Sequence, residues 1–128
     1  DRRQRQMCIR DRYFRELETE IVKDLIKSRH NTVVSVGGGL PLKPENRELL
    51  KKLGTVVYLR TSVEELTKRL AGDTTRPLLA GGNIREKITH LMDMRLSDYL
   101  DAAEVIIDTD GRSFDEMYEN ILKEKREA

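Results

Sequence analysis

The chain has 128 residues, 38% apolar and 37% charged, which suits one domain with a well-solvated surface and a modest core. One cysteine and two histidines exclude a disulfide framework and a cysteine- or histidine-built metal centre, and they point to a reducing compartment. Lysine plus arginine exceed aspartate plus glutamate by only 24 to 23, yet residues 1–15 hold six arginines against Asp1 and Asp11; the 18 basic and 21 acidic residues beyond them give a net −3 and no broad basic face. The arginine-rich head can be read as a nucleic-acid arm or as a solvated or foreign tail, and its composition favours the tail. No apolar run approaches the roughly 18–20 residues of a membrane span. The expectation is a soluble, cytoplasmic, single-domain protein with no nucleic-acid and no membrane partner.

In chain order, residues 13–28 carry Phe14, Leu17, Ile21, Val22, Leu25 and Ile26 at three- and four-residue spacing, which predicts an amphipathic helix. Thr32 to Val36 is β-branched and stops at Gly37-Gly38-Gly39, which predicts a buried strand running into a loop. Pro44 opens a helix to Leu53 with Leu49, Leu50 and Leu53 on one face and Gly54 as its stop. A second strand is expected over residues 55–59. Ser62 should cap a helix with Glu64 and Glu65 in its first turn. Residues 73–82 read as a polar loop, 84–100 as a long helix and 105–108 as a third strand, with Ser113 capping a last helix from Phe114. This strand–helix alternation predicts an α/β fold with a parallel sheet covered on both faces.

Three features could carry chemistry. Gly37-Gly38-Gly39 follows a predicted strand, where parallel sheets bind ligands, and glycine permits positive φ and close approach to backbone amides; a plain turn fits equally well. No glycine is followed by lysine anywhere, so no phosphate-binding Gly-Lys-Ser/Thr loop is present in these residues. Arg15 lies beside Phe14 and three residues before Glu18, placed either to be aimed at an anion or to form a surface pair. Arg76, before Pro77-Leu78-Leu79, suits a segment that closes over phosphates. Arg95 interrupts the apolar residues Leu91, Met92, Met94 and Leu96. Ion-pair networks are the commoner use of such arginines.

From Tyr13 onward the chain resembles the shikimate kinase family. Phe14-Arg15-Glu16-Leu17-Glu18 is similar to its Phe-Arg-x-x-Glu element, and Val33 to Gly39 to its strand and triple-glycine loop, though the family often has threonine where Val36 stands. Arg76-Pro77-Leu78-Leu79 matches its lid, Arg95 with Tyr99 its Arg-x-x-x-Tyr helix, and Asp108-Thr109-Asp110-Gly111-Arg112 the segment near adenine. The resemblance implies a parallel-sheet P-loop kinase fold, similar to nucleoside monophosphate kinases, with its first two strands missing here. It also implies transfer of the ATP γ-phosphoryl group to the shikimate 3-hydroxyl with Mg2+, in aromatic amino-acid (chorismate) biosynthesis, by an enzyme usually monomeric. Arg15 and Arg95 would clamp the shikimate carboxylate, with Gly37, Gly38 and Gly39 lining that pocket. Arg76 would act on the transferred phosphoryl group, Arg69 and Arg112 would flank adenine, and Ser35 would approach the metal's water shell.

Nothing before Tyr13 matches the family's glycine-lysine loop or its Asp-x-Asp pair. Residues 1–12 are therefore expected to be a non-family segment and residues 13–128 the carboxyl-terminal portion of the domain, inactive alone. In the family's strand order, 2-3-1-4-5, the absent first strand lies between the segments at 32–36 and 55–59. The alternatives are another small-molecule P-loop kinase, such as gluconate kinase, and a non-catalytic kinase-like binding domain.

Overall fold

The computed structural model describes residues 2–28, 31–71 and 83–127. The chain divides into two units, one ending at Thr55 and the other beginning at Val56.

In the first unit, helix α1 spans Arg2–Ser28, a 3₁₀ turn spans Leu40–Leu42 and helix α2 spans Pro44–Leu53. Helix α1 begins eleven residues earlier than Tyr13. No glycine or proline occurs in residues 2–12, so arginine, glutamine and methionine there extend the helix rather than form a tail. The predicted apolar stripe divides: Val22 is 2% exposed, whereas Phe14 is 55% exposed and Leu17 and Ile21 are also open. Thr19 and Val22 supply the buried positions of α1, matched by Asn46 and Leu50 on α2 and by Leu40 and Pro41 in the turn. The 3₁₀ turn was not foreseen.

The expected strand at 32–36 is the main departure. Residues 33–36 join no sheet among the described residues, and Val33 is 99% exposed. A β-branched run has strand propensity, but a strand forms only when its backbone groups meet a partner ladder. Consequently, among the described residues, the sheet has two strands in place of the three anticipated.

In the second unit, β1 (Val57–Arg60) leads to α3 (Val63–Ala71), then α4 (Ile84–Ala102), β2 (Val105–Asp108) and α5 (Phe114–Glu127). The strands pair in parallel, from Val57 opposite Val105 to Arg60 opposite Asp108. Parallel pairing requires a crossover, and α3 and α4 lie within it. Val105 and Ile107 are buried on one face of β2. On the opposite face the Tyr58 ring meets Tyr99 of α4 at 5.3 Å between centroids, tilted by 54°. The expected caps form: Ser62 Oγ and Ser113 Oγ each accept the backbone N–H three residues on, from Glu65 and Glu116, at 3.1 Å. Asn83 does the same for Glu86 at 3.3 Å. Among the described residues no helix is long and apolar enough to cross a membrane.

Candidate functional site

Arg15 and the glycine turn come together in the first unit. The Arg15 guanidinium lies against Gly39 so closely that a Cβ there would stand 2.5 Å from Nη2 and 2.6 Å from Cζ, and nearer still to Nη1. Gly39 itself has φ −86° and ψ −18°, which any residue adopts. Among the described glycines only Gly111 takes a left-handed φ, at 68°. The glycine is thus needed at position 39 for close approach, not for the positive φ considered from sequence.

Arg15 Nη1 donates to Glu18 Oε1 at 2.8 Å, and Asp11 lies 3.9 Å from Nε. Cζ stands 5.7 Å from the Phe14 ring centroid, within cation–π range. The side chain still keeps 37% of its surface open. Arg15 is thus paired with Glu18 while part of its side chain stays open. Gly37 faces Glu18, where a Cβ would meet Oε2 at an ordinary 3.6 Å. Gly38 and Ser35 are exposed on the same segment.

Two residues that sequence reasoning passed over hold this turn. Asn46 Nδ2 donates to the Leu40 carbonyl at 3.0 Å, and Asn46 Oδ1 accepts from Thr19 Oγ1 at 2.8 Å. Beside it, Arg47 Nη1 donates to the carbonyls of Pro41 at 2.9 Å and Leu42 at 3.2 Å. The available signal was a polar residue on an apolar face: Thr19 three residues before Val22, and Asn46 four before Leu50.

In the second unit Arg95 Nη1 donates to the Tyr99 hydroxyl at 3.4 Å, one turn along α4. Behind Tyr99 sits Tyr58, whose hydroxyl is buried and has no hydrogen-bond partner among the described residues. Burial, and then the neighbouring Tyr99, push the Tyr58 phenol above its ordinary value. Arg15 and Arg95, the two halves of the expected clamp, belong to different units, and each is steadied by its own neighbours.

Arg69 and Arg112 lie within electrostatic reach of Asp110 and Asp108, at the carboxyl ends of the two strands. A series of polar bonds joins those ends. Arg60 forks onto Asp108 at 2.6 and 3.1 Å, and the Thr61 and Thr109 hydroxyls meet at 2.7 Å. Asp110 accepts from the Ser62 backbone N–H at 3.0 Å and from the Ser62 hydroxyl. The Ser62 bonds hold the Asp110 carboxyl below its ordinary value, with Arg69 adding to the effect. Asp108 is lowered by the Arg60 bond, with a smaller part from Arg112. Arg69 also pairs with Glu65 at 3.1 Å. Arg112 borders an open groove of about 480 Å³ whose other lining is Asp115, Glu116, Glu119 and Asn120. Three carboxylates around one arginine make poor company for phosphates.

Arg76 lies outside the described residues, as does the rest of the expected lid through Gly82. Among the described residues no group of three or more His, Cys, Asp or Glu side chains could hold a metal ion. With an exposed Ser35 as the only candidate from sequence, the donor set does not fit Mg2+.

Comparison with known proteins identifies the lineage. A family model described as shikimate kinase matches residues 10–126. The chain belongs to the shikimate kinase family. The shikimate kinase of Rhodococcus jostii (strain RHA1) is 52% identical over 100 residues, covering 78% of this chain and 58% of that protein. The shikimate kinase of Enterococcus faecalis is 42% identical over 116 residues, covering 89% and 67% respectively. A solved shikimate kinase from Acinetobacter baumannii, in complex with shikimate, aligns with a TM-score of 0.77 at 34% identity, over 89% of this chain and 63% of that one. The enzyme from Bacteroides thetaiotaomicron aligns at 0.72 with 27% identity, over 90% and 68%. The P-loop kinase fold of the family is therefore the fold of this chain, which spans 58–67% of the length of the two curated relatives above.

Proposed function

We propose that this chain is the carboxyl-terminal portion of a shikimate kinase, the match to the family model beginning at residue 10. The complete enzyme would join the shikimate 3-hydroxyl oxygen to the γ-phosphorus of ATP. The bond from that phosphorus to the β–γ bridging oxygen breaks, ADP leaves with the electron pair, and the hydroxyl proton is lost. A cytoplasmic monomer supplying chorismate biosynthesis is the setting that goes with this chemistry.

The observation that carries the reading is the Arg15 guanidinium, seated on Gly39 and gripped by Glu18, with more than a third of its surface open to a ligand. A guanidinium held in one plane matches a carboxylate through two parallel charged hydrogen bonds. Arg95, steadied by Tyr99, would supply the second cation, and Gly37 to Gly39 would form the wall beside the ring. Arg76 would offset charge on the transferred phosphoryl group, where positioning and electrostatics provide nearly all the catalysis. Arg69 and Arg112 would stack on adenine across the joined strand ends. No step is assigned to Mg2+ through the described residues.

Calorimetric titration with shikimate, gluconate and ADP, made on the chain completed with a family-type amino-terminal third, tests the reading. Shikimate should bind more tightly than gluconate, and Arg15→Ala or Arg95→Ala should weaken it about tenfold or more while leaving ADP unaffected. Preference for gluconate would move the assignment to another small-acid kinase. Equal loss of shikimate and ADP in Arg15→Ala would reduce Arg15 to a structural partner of Glu18.

A further inference from the structure

Asn46 is 1% exposed and Thr19 3% exposed. A polar side chain at such depth is costly unless fully bonded, and an apolar residue at position 46 would have continued the Leu50 stripe. The bonds that satisfy them form a closed circuit. Thr19 Oγ1 lies 3.1 Å from the Arg15 carbonyl and 2.8 Å from Asn46 Oδ1, to which it donates. Asn46 Nδ2 donates to the carbonyl of Leu40, and the Leu40 N–H donates back to the Gly37 carbonyl at 3.2 Å. Between Gly37 and Leu40 stands Gly39, which closes the circuit on the Arg15 guanidinium.

We propose that Asn46 is a positioning residue for Arg15, fixing the guanidinium by locking the Gly37–Leu40 turn to the α1 helix turn that carries Arg15 and Thr19. An amide serves here because it offers an acceptor to Thr19 and a donor to Leu40 at the same time, which neither a carboxylate nor a hydroxyl of that reach provides. Glu18 bonds Arg15 on one side, and the anchored turn limits its position on the other. The charge is thereby presented in one plane before a ligand arrives, which cuts the ordering cost of binding. The proposal rests on the assignment of Arg15 to a ligand carboxylate.

The test compares Asn46→Asp, Thr19→Val and Thr19→Ser with the unaltered chain, well below their melting temperatures. Two quantities are read: the order of the Arg15 Nε–Hε bond by nitrogen-15 relaxation, and shikimate affinity by titration. Asn46→Asp keeps the acceptor but loses the donor to Leu40; Arg15 Nε should lose order and affinity should fall about tenfold, the worth of one hydrogen bond to an oriented group. Thr19→Val should weaken binding about threefold, and Thr19→Ser, which keeps the hydroxyl, should restore it. A purely structural role would lower the melting temperature and leave both readings where they were, and that result overturns the proposal. If Asn46→Asp does not fold, the Thr19 pair decides on the same two readings. Arg15→Ala separates the underlying assignment: unchanged shikimate affinity there removes the carboxylate reading, while the Nε order of the other variants still decides whether Asn46 positions Arg15.

Discussion

Gly39→Ala is the sharpest perturbation of the Arg15 site. The backbone at position 39 lies in the ordinary right-handed region, so alanine brings no conformational strain. Its methyl, however, would fall 2.5 Å from Arg15 Nη2, against the 3.4 Å at which ordinary contact begins. The obstacle is the far end of a flexible side chain, which must retreat by about 1 Å or more. Because the turn is tied through Leu40 to Asn46, the backbone has little freedom to yield instead. Stability should therefore change by less than about 1 kcal/mol, the Arg15–Glu18 pair being partly exposed and worth little in itself. Ligand binding should change far more, since a displacement of about 1 Å at a positioned group can cost about 100-fold. The assay is calorimetric titration with shikimate beside a thermal melt of the same sample. Gly37→Ala is the control for stability alone: its methyl would meet Glu18 Oε2 at an ordinary 3.6 Å, and the melting temperature should stay near that of the unaltered chain. Undiminished shikimate affinity in Gly39→Ala would refute the claim that this contact sets the guanidinium.

The 128-residue chain should show only background ADP release with ATP and shikimate in a coupled assay, because no glycine-lysine loop is present to cradle the phosphates; shikimate-dependent turnover would contradict this. Tyr58→Phe removes a buried hydroxyl that has no partner among the described residues and should stabilise the second unit by about 1 kcal/mol, read as a higher melting temperature. Because burial raises the Tyr58 pKa, its phenol adds no ionisation cost below the ordinary value of 10.0, and stability falls as pH rises from there toward the folded value; the Phe variant should lose less between pH 9 and pH 12 in urea titrations. Asp110 behaves in the opposite sense. Its pKa is lowered by Ser62, so its contribution is present above the ordinary 3.8 and disappears as pH falls through the lower folded value; Asp110→Asn should flatten that acid loss, and an unchanged acid profile would mean that the Ser62 bonds do not join the strand ends in solution.

Local signals in the sequence determined the helices, apart from the first eleven residues of α1, and the caps at Ser62 and Ser113. Ser62, Asn83 and Ser113 each bond a backbone N–H only three residues away, so the information sits inside one turn and can be read without the fold. The two paired strands were equally legible from their β-branched runs, because Val57–Arg60 and Val105–Asp108 found each other as a ladder. Residues 32–36 carry the same kind of run and form no strand, since a strand depends on a neighbour that no local pattern supplies. The motif at Arg15 and the three glycines was visible as residue types. That Gly39 takes the guanidinium on its bare α-carbon was decided only when the turn folded back on α1. Asn46 and Thr19 are 27 residues apart in sequence, and each alone looks like a flaw in an apolar face. Tertiary structure gave them a role, because a buried donor and acceptor acquire meaning only from the partners that folding brings to them.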